Sequence, residues 1–291
     1  MSADTSTSPV SAVTARKTWR TLEPLHGMVY FAPEAAESYR RLGLTGQSGY
    51  FASRSAAMGS VSAGVVVATF YNFKPSLVHE SMDGVWDAVT PHAVLEARTS
   101  AASAALRRML GDAATSPDVA ASAELARHAA ERAGHHREGR PLFAGHAGLA
   151  WPDDPLEVLW HAQTLLREFR GDGHISLLLQ HDLDGVEALV MHEATGELPL
   201  SLLKATRGWS DDEWDAAAVR LRERGWLRPG ASAEHLALTD EGAAVRLAIE
   251  EATDRLSVLP YEAIGESGCD TLRGLARPFS RAVVDASGLG G

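Results

Sequence analysis

The sequence predicts a mainly α protein, with one or more N-terminal helical domains followed by a winged helix-turn-helix-like domain with a short two-stranded wing. Three observations carry this expectation. The apolar fraction, 45% of 291 residues, leans on Ala and Leu, while aromatics make up only 7%; that bias favours helix over sheet. Helix-opening residues and closing glycines punctuate the chain repeatedly. In residues 185–259, three helix-sized runs precede two short apolar runs around a Pro-Gly turn, and one long helix follows. The chain then divides into a disordered tail (1–15), an N-terminal helical domain (16–134), a helical region (135–184), the winged helix-turn-helix-like domain (185–259) and a C-terminal extension (260–291).

Bulk properties narrow the function classes. A net charge of −11 repels a polyanion at long range, which disfavours general nucleic-acid binding. The single cysteine, Cys269, allows neither an internal disulfide nor a Cys-based zinc cage, and suits a reducing cytoplasm. Residues 1–15 lack the basic and apolar blocks of a signal peptide, and no run approaches 18 apolar residues, so no membrane partner is expected. Gly-x-Ser-x-Gly, phosphate-loop, dinucleotide and His-Glu-x-x-His patterns are all missing.

Taken in order, Leu22, Leu25, Val29 and Phe31 form a first apolar face, and Pro33 opens a helix that Gly43 closes. His26 and Tyr30 lie four apart and share a face. They either converge on a pocket or are a core histidine and its filler. Gly46–Gly64 is rich in small residues around Tyr50, Phe51, Arg54 and Met58, as in a close helix contact or a loop lining a cavity. Arg54 there either grips a carboxylate or snorkels outward. Val65–Phe73 is expected to be a buried helix carrying Tyr71 and Asn72 at its end. Helices follow over Leu77–Val89, Ala93–Leu110 and Ser116–Gly134. His135 and His136 fall in a polar loop and imply no metal site.

The helix Leu156–Phe169 carries a second stripe, Trp160, Gln163, Arg167 and Arg170, facing either a ligand cavity or solvent. The stripe leads into Arg170-Gly171-Asp172-Gly173-His174. Two glycines between buried runs predict a tight corner that crowds three polar side chains together. His174 is the candidate general acid or base, because an imidazole titrates at about 6.5. Asp172 would orient it, Arg54, Arg167 and Arg170 would hold an anionic group, and Tyr30 and Tyr71 would donate protons or stack on a ring. The alternative is that Arg170 and Asp172 pair simply to lock the corner.

Residues 185–259 supply the clearest pattern. Helices are expected at Val186–His192 and Leu200–Arg207, and Ser210-Asp211-Asp212-Glu213 is a capping box opening a third that runs to about Arg224. Gly225-Trp226-Leu227 and Leu236-Ala237-Leu238 are the strand candidates, and Thr239-Asp240-Glu241-Gly242 starts a helix reaching Leu256. Fourteen acids stand against eight Lys plus Arg across this span. Asp211, Asp212, Glu213 and Asp215 crowd the end of the third helix that normally meets bases. DNA is therefore not the favoured partner, and reuse of the fold for packing or a homodimer contact is.

A set of motifs runs through most of the chain, starting with His26 and Tyr30-Phe31-Ala32-Pro33-Glu34, Tyr50-Phe51-Ala52-Ser53-Arg54, and Ala68-Thr69-Phe70-Tyr71-Asn72-Phe73. It continues through Gly139-Arg140-Pro141-Leu142, Leu166-Arg167-Glu168, Arg170-Gly171-Asp172-Gly173-His174 and Arg207-Gly208-Trp209, and ends with Leu238-Thr239-Asp240-Glu241-Gly242 and Thr253-Asp254. On these motifs rests a resemblance to the SalK-type helix-turn-helix proteins of actinobacteria. It implies a helix-turn-helix fold and a setting in secondary metabolism, and assigns no catalytic residue. The leading expectation is a small-molecule-binding protein, an enzyme of actinobacterial biosynthesis doing acid–base chemistry on an anionic or aromatic ligand in a buried Arg/Asp/His pocket. A ligand-responsive winged-helix regulator is the alternative. A haem protein, with His26 or His174 as axial ligand, is a third reading that lacks an attachment motif. The cofactor, if any, stays open.

Overall fold

The computed structural model describes residues 9–195, 200–229 and 236–287, and these are helical throughout their regular parts. In chain order the helices are α1 (Ala12–Gly27), α2 (Pro33–Arg41), α3 (Gln47–Ser55), α4 (Ala63–Phe70), α5 (Pro75–Met82), α6 (Val85–Ala88), α7 (Pro91–Leu110) and α8 (Pro117–Ala133). There follow α9 (Pro141–His146), α10 (Pro155–Gln180), α11 (Gly185–Glu193), α12 (Leu200–Arg207), α13 (Asp211–Glu223), α14 (Asp240–Leu256) and α15 (Gly265–Ser287). Proline in the first turn opens α2, α5, α7, α8 and α9, where its missing N–H costs nothing. Residues 1–8 of the expected tail lie outside the described residues, and Ser11 already caps α1 by accepting from Thr14 N–H at 3.1 Å.

Two compact units make up the chain. The first comprises residues 1–60, 84–173 and 254–291. Its core is built on small residues: Ala101, Ala102 and Ala105 on α7, and Ala123, Ala126, Ala129, Ala130 and Ala133 on α8, all buried. In α15, Cys269, Leu272, Ala276, Phe279 and Val283 bury one stripe, and Ser280 ties the helix to α1 through the Thr21 carbonyl.

The second unit comprises residues 61–83 and 174–253. Val186, Leu189 and Val190 of α11, Leu203 of α12, and Trp214, Ala217, Ala218 and Leu221 of α13 share one core with Trp226, Leu227 and Ile249. Capping boxes open α11 (Asp184 with Glu187) and α13 (Ser210 with Glu213), as the spacing before α13 predicts. Gly208, with φ +79°, makes the turn between α12 and α13, and a Cβ there would come within 2.9 Å of Leu77.

Three expectations are corrected. The stretch expected as a tight corner, Arg170 to His174, is the interior of α10, and neither Gly171 nor Gly173 adopts a positive φ. Gly173 instead admits neighbours: a Cβ there would sit 3.4 Å from Arg140 Nη2 and 3.7 Å from Leu256. The predicted two-stranded wing does not form. Among the described residues there is no strand, only a single antiparallel bridge between Leu227 and Leu238. The bridge is held by Arg228 N–H on the Ala237 carbonyl and Thr239 N–H on the Trp226 carbonyl, and α14 begins at Asp240 immediately beyond it. The Pro-Gly turn itself lies partly outside the described residues. Finally, the single helix expected over Leu77–Val89 breaks at Gly84, which has φ +65° and separates α5 from α6.

Two glycines give opposite expectations for stability. An added Cβ at Gly185 would fall 2.1 Å from the Tyr71 carbonyl oxygen, so Gly185→Ala should cost about 1–3 kcal/mol or more. Gly274, inside α15 with nothing within 4 Å, should gain about 0.5–1 kcal/mol on substitution by Ala. Urea melts of the two variants check both signs.

Candidate functional site

The first unit buries an unusual density of polar side chains. His26 is fully buried at the end of α1, where its ring stacks on Trp160 of α10 with centroids 5.7 Å apart and planes 7° from parallel. Its tautomer follows from its partners. The Thr164 hydroxyl donates to the Trp160 carbonyl at 3.0 Å, so it accepts from His26 Nδ1–H at 2.9 Å. His26 Nε2 therefore accepts from the Tyr30 hydroxyl at 2.9 Å. Burial, followed by the nearby guanidiniums of Arg167, Arg98 and Arg54, holds its pKa well below the ordinary value. His26 is a neutral, oriented acceptor.

Charges surround it. Glu168 is buried and takes Arg167 at 3.1 Å and Arg54 at 3.4 Å. Burial alone would push its carboxyl up, but Arg54 and Arg167 outweigh that and hold it at about 2. Arg167 also reaches Glu23 at 2.8 Å, Gln163 approaches Glu23 at 3.5 Å, and Arg54 donates to the Tyr50 hydroxyl at 2.7 Å. Arg98 of α7 is 1% exposed; its Nη1 donates to the Ser53 carbonyl at 2.8 Å, and its guanidinium lies 5.4 Å from the Trp160 ring. Three guanidiniums thus stand against two carboxylates. His146 and His161 do not add charge at neutral pH: burial, then Arg98, takes their pKa values down to about 3 and about 4.

A cleft of about 490 Å³ opens beside this cluster, with Tyr30, Phe31, Tyr39, Tyr50 and Ser53 in its wall. Phe31 is 60% exposed there, an unusual position for a large apolar ring.

The structure brings six predicted binding residues together in this unit: His26, Tyr30, Arg54, Trp160, Gln163 and Arg167. It places Tyr71 and Asn72 in the second unit, where the Tyr71 hydroxyl bonds the Leu183 carbonyl and the Asn72 carbonyl accepts from Trp209 at 2.9 Å. The three candidate catalytic residues each have their own partner. Arg170 pairs with Asp254 at 2.7 Å and covers Trp19, and Asp172 accepts from Phe143 N–H at 2.9 Å. His174, in the second unit, meets the Thr253 hydroxyl at 2.9 Å. Burial pushes Asp172 up to about 7 despite the backbone N–H groups of Phe143 and Leu142. Sequence reading did not single out Arg98, Glu23, Glu168, His146 or His161. Arg98 was visible, because it stands on the same helical stripe as Val94, Ala101 and Ala105.

In the second unit, the outward face of α13 presents Asp212, Asp215, Ala216, Val219 and Glu223, all exposed. Two arginines at its C-terminal end are tied within the unit: Arg220, its side chain 43% exposed, to Asp184 and Glu187 at 2.7 Å each, and the C-cap Arg224 to the carbonyls of His181 and Asp182 while covering Trp226. Among the described residues, no single helix is long and apolar enough to cross a membrane.

Compared with known proteins, the chain matches a family described as a helix-turn-helix family over residues 15–290. No curated protein and no solved structure matches it.

The buried titrating groups set the acid limb of stability. His26, His146 and His161 are neutral in the folded chain, whereas an unfolded histidine takes up a proton near pH 6.5. Their contribution is complete above that pH and is lost progressively as pH falls from there towards about 4 and about 3 for His161 and His146. Asp172 works the other way, retaining in the folded chain a proton that the unfolded chain releases, so its contribution is lost as pH rises through about 7. Three groups outweigh one. The melting temperature should fall from pH 7 to pH 5, and Asp172→Asn should steepen that fall; a wild-type melting temperature that is flat or higher at pH 5 contradicts the assignment.

Proposed function

We propose, from the premise that the chain belongs to this helix-turn-helix family, that it is a ligand-responsive transcriptional regulator. The second unit supplies the DNA-facing module, and the first unit holds a small molecule. The observation that carries this reading is the α12–Gly208–α13 arrangement: two short helices joined by a glycine turn, the second opened by a capping box and exposing one face. The cleft beside the buried arginines supports the ligand half. The SalK-type resemblance supports a ligand drawn from actinobacterial secondary metabolism, and the lone Cys269 suits a cytoplasmic setting.

The charge of α13 sets the terms of any DNA contact. Phosphate neutralisation supplies most non-specific affinity, and here the helix offers acids outward while Arg220 and Arg224 are tied to acids and carbonyls of the same unit. Binding would rest on base readout and on a few flanking cations such as the exposed Arg228, with a shallow salt dependence. An acid–base enzyme is the second reading, favoured by Asp172, a buried carboxyl that titrates near neutrality. Turnover that is lost in Asp172→Asn would select it.

Fluorescence anisotropy at low salt, with DNA flanking the protein's own coding sequence, tests the regulator. Saturable, sequence-selective binding is expected, and Asp212→Asn with Asp215→Asn should tighten it about tenfold by removing two acids from the docking face. No selective binding by wild type, together with no gain in the neutralised variant, would overturn the reading.

A further inference from the structure

Behind the cleft wall lies a set of buried groups that the ion-pair network does not use. Arg98 Nε and Nη2, Trp160 Nε1, and Nε2 of both His146 and His161 have no hydrogen-bond partner among the described residues, and all four residues are buried. These groups are neighbours: Arg98 lies over the Trp160 ring and lowers the pKa of both histidines by its charge. Arginine and tryptophan are donors only, and a neutral imidazole can present N–H at Nε2, so the set is complementary to an acceptor. Arg98 is also the cation that no carboxylate pairs with among the described residues, although its charge adds to those that hold Glu168 down. Glu168 and Glu23 are taken by Arg54 and Arg167, and the hydrogen bond Arg98 makes among these residues is to the neutral Ser53 carbonyl.

We propose that Arg98, with Trp160, His146 and His161 around it, is the recognition site for the carboxylate of a small aromatic acid whose ring occupies the cleft. The inference rests on the reading that this unit holds a small molecule, and it names the class. A guanidinium fork matches the two oxygens of a carboxylate. Cleft and fork are joined through shared residues: Ser53 is in the cleft wall and its carbonyl takes Arg98, while Tyr39, also in the wall, feels the Arg98 charge. Tyr30, Phe31, Tyr39 and Tyr50 supply ring faces for an aromatic body, and about 490 Å³ falls within the range of small-molecule sites. A monoanion is specified because one positive charge is left over and the ionised Glu168 is close by. A dianion such as phosphate would meet repulsion from that carboxylate.

The test uses the full chain without DNA, with benzoate, phenylacetate and indole-3-acetate as probes and benzamide and inorganic phosphate as controls. At least one of the three acids should raise the melting temperature and bind saturably by calorimetry, whereas benzamide and phosphate should do neither. Arg98→Met should melt at or above wild type, because it removes an unpaired buried charge, and should lose the acid-induced shift entirely. Arg98→Lys, which keeps the charge without the fork, should weaken binding at least tenfold. No response to any acid up to about 10 mM, where a millimolar Kd still registers, overturns the proposal. So does undiminished acid binding by Arg98→Met. Acid binding without DNA binding would instead sink the regulator and leave this site standing.

Discussion

Glu168 is the charge around which the first unit is arranged. It is buried on α10, and a lone carboxylate there would cost on the order of several kcal/mol. Arg54 from α3 and Arg167 from its own helix offset that cost. The pair of arginines then fixes what lies next to them. Tyr30 and Tyr50 lie beneath their guanidiniums, Tyr30 orients His26, and His26 lies flat on Trp160. A third arginine in the same volume breaks the balance. Among the described residues Arg98 pairs with no carboxylate and bonds only a carbonyl, and an external anion is the counter-ion proposed for it.

The second unit solves a different problem with simpler means. Helices α11 to α13 are short, and their ends are tied down: capping boxes at α11 and α13, a left-handed glycine between α12 and α13, and backbone carbonyls of the 181–182 turn taken by Arg224. Arg220 binds α13 to two acids of the α11 N-terminus, so a cation that could have met phosphate is spent on the fold. The outward face is left acidic as a consequence. Family membership and local charge pull in different directions here, and the exposed face of α13 is where they meet.

Helix ends were legible because their chemistry is local. Ser210 with Glu213 announces a capping box, Pro33 a first turn and Gly208 a left-handed stop, and all three do what their residue types require. The His26–Tyr30 spacing and the Trp160–Gln163–Arg167 stripe were legible for the same reason, since helical periodicity alone puts each set on one side. Gly171-Asp172-Gly173 misled because glycine has two uses. It permits a turn, and it also clears room for neighbours, here Arg140 and Leu256, that are distant in sequence. The wing failed for want of length, because two short arms can meet in one bridge without becoming strands. His146 and His161 could not be found by pattern, since only tertiary packing puts them beside Arg98.

The central claim is that Arg98 is a buried cation whose counter-ion is a ligand. A crystal structure of the full chain grown with 4-bromobenzoate tests it most directly, because bromine scatters anomalously and marks the ring. The account predicts a bromine peak in the cleft beside Tyr30 and Tyr50, with the carboxylate on the free edge of the Arg98 guanidinium. A bromine peak elsewhere, or an Arg98 whose remaining nitrogens are bonded to protein atoms alone, would contradict it.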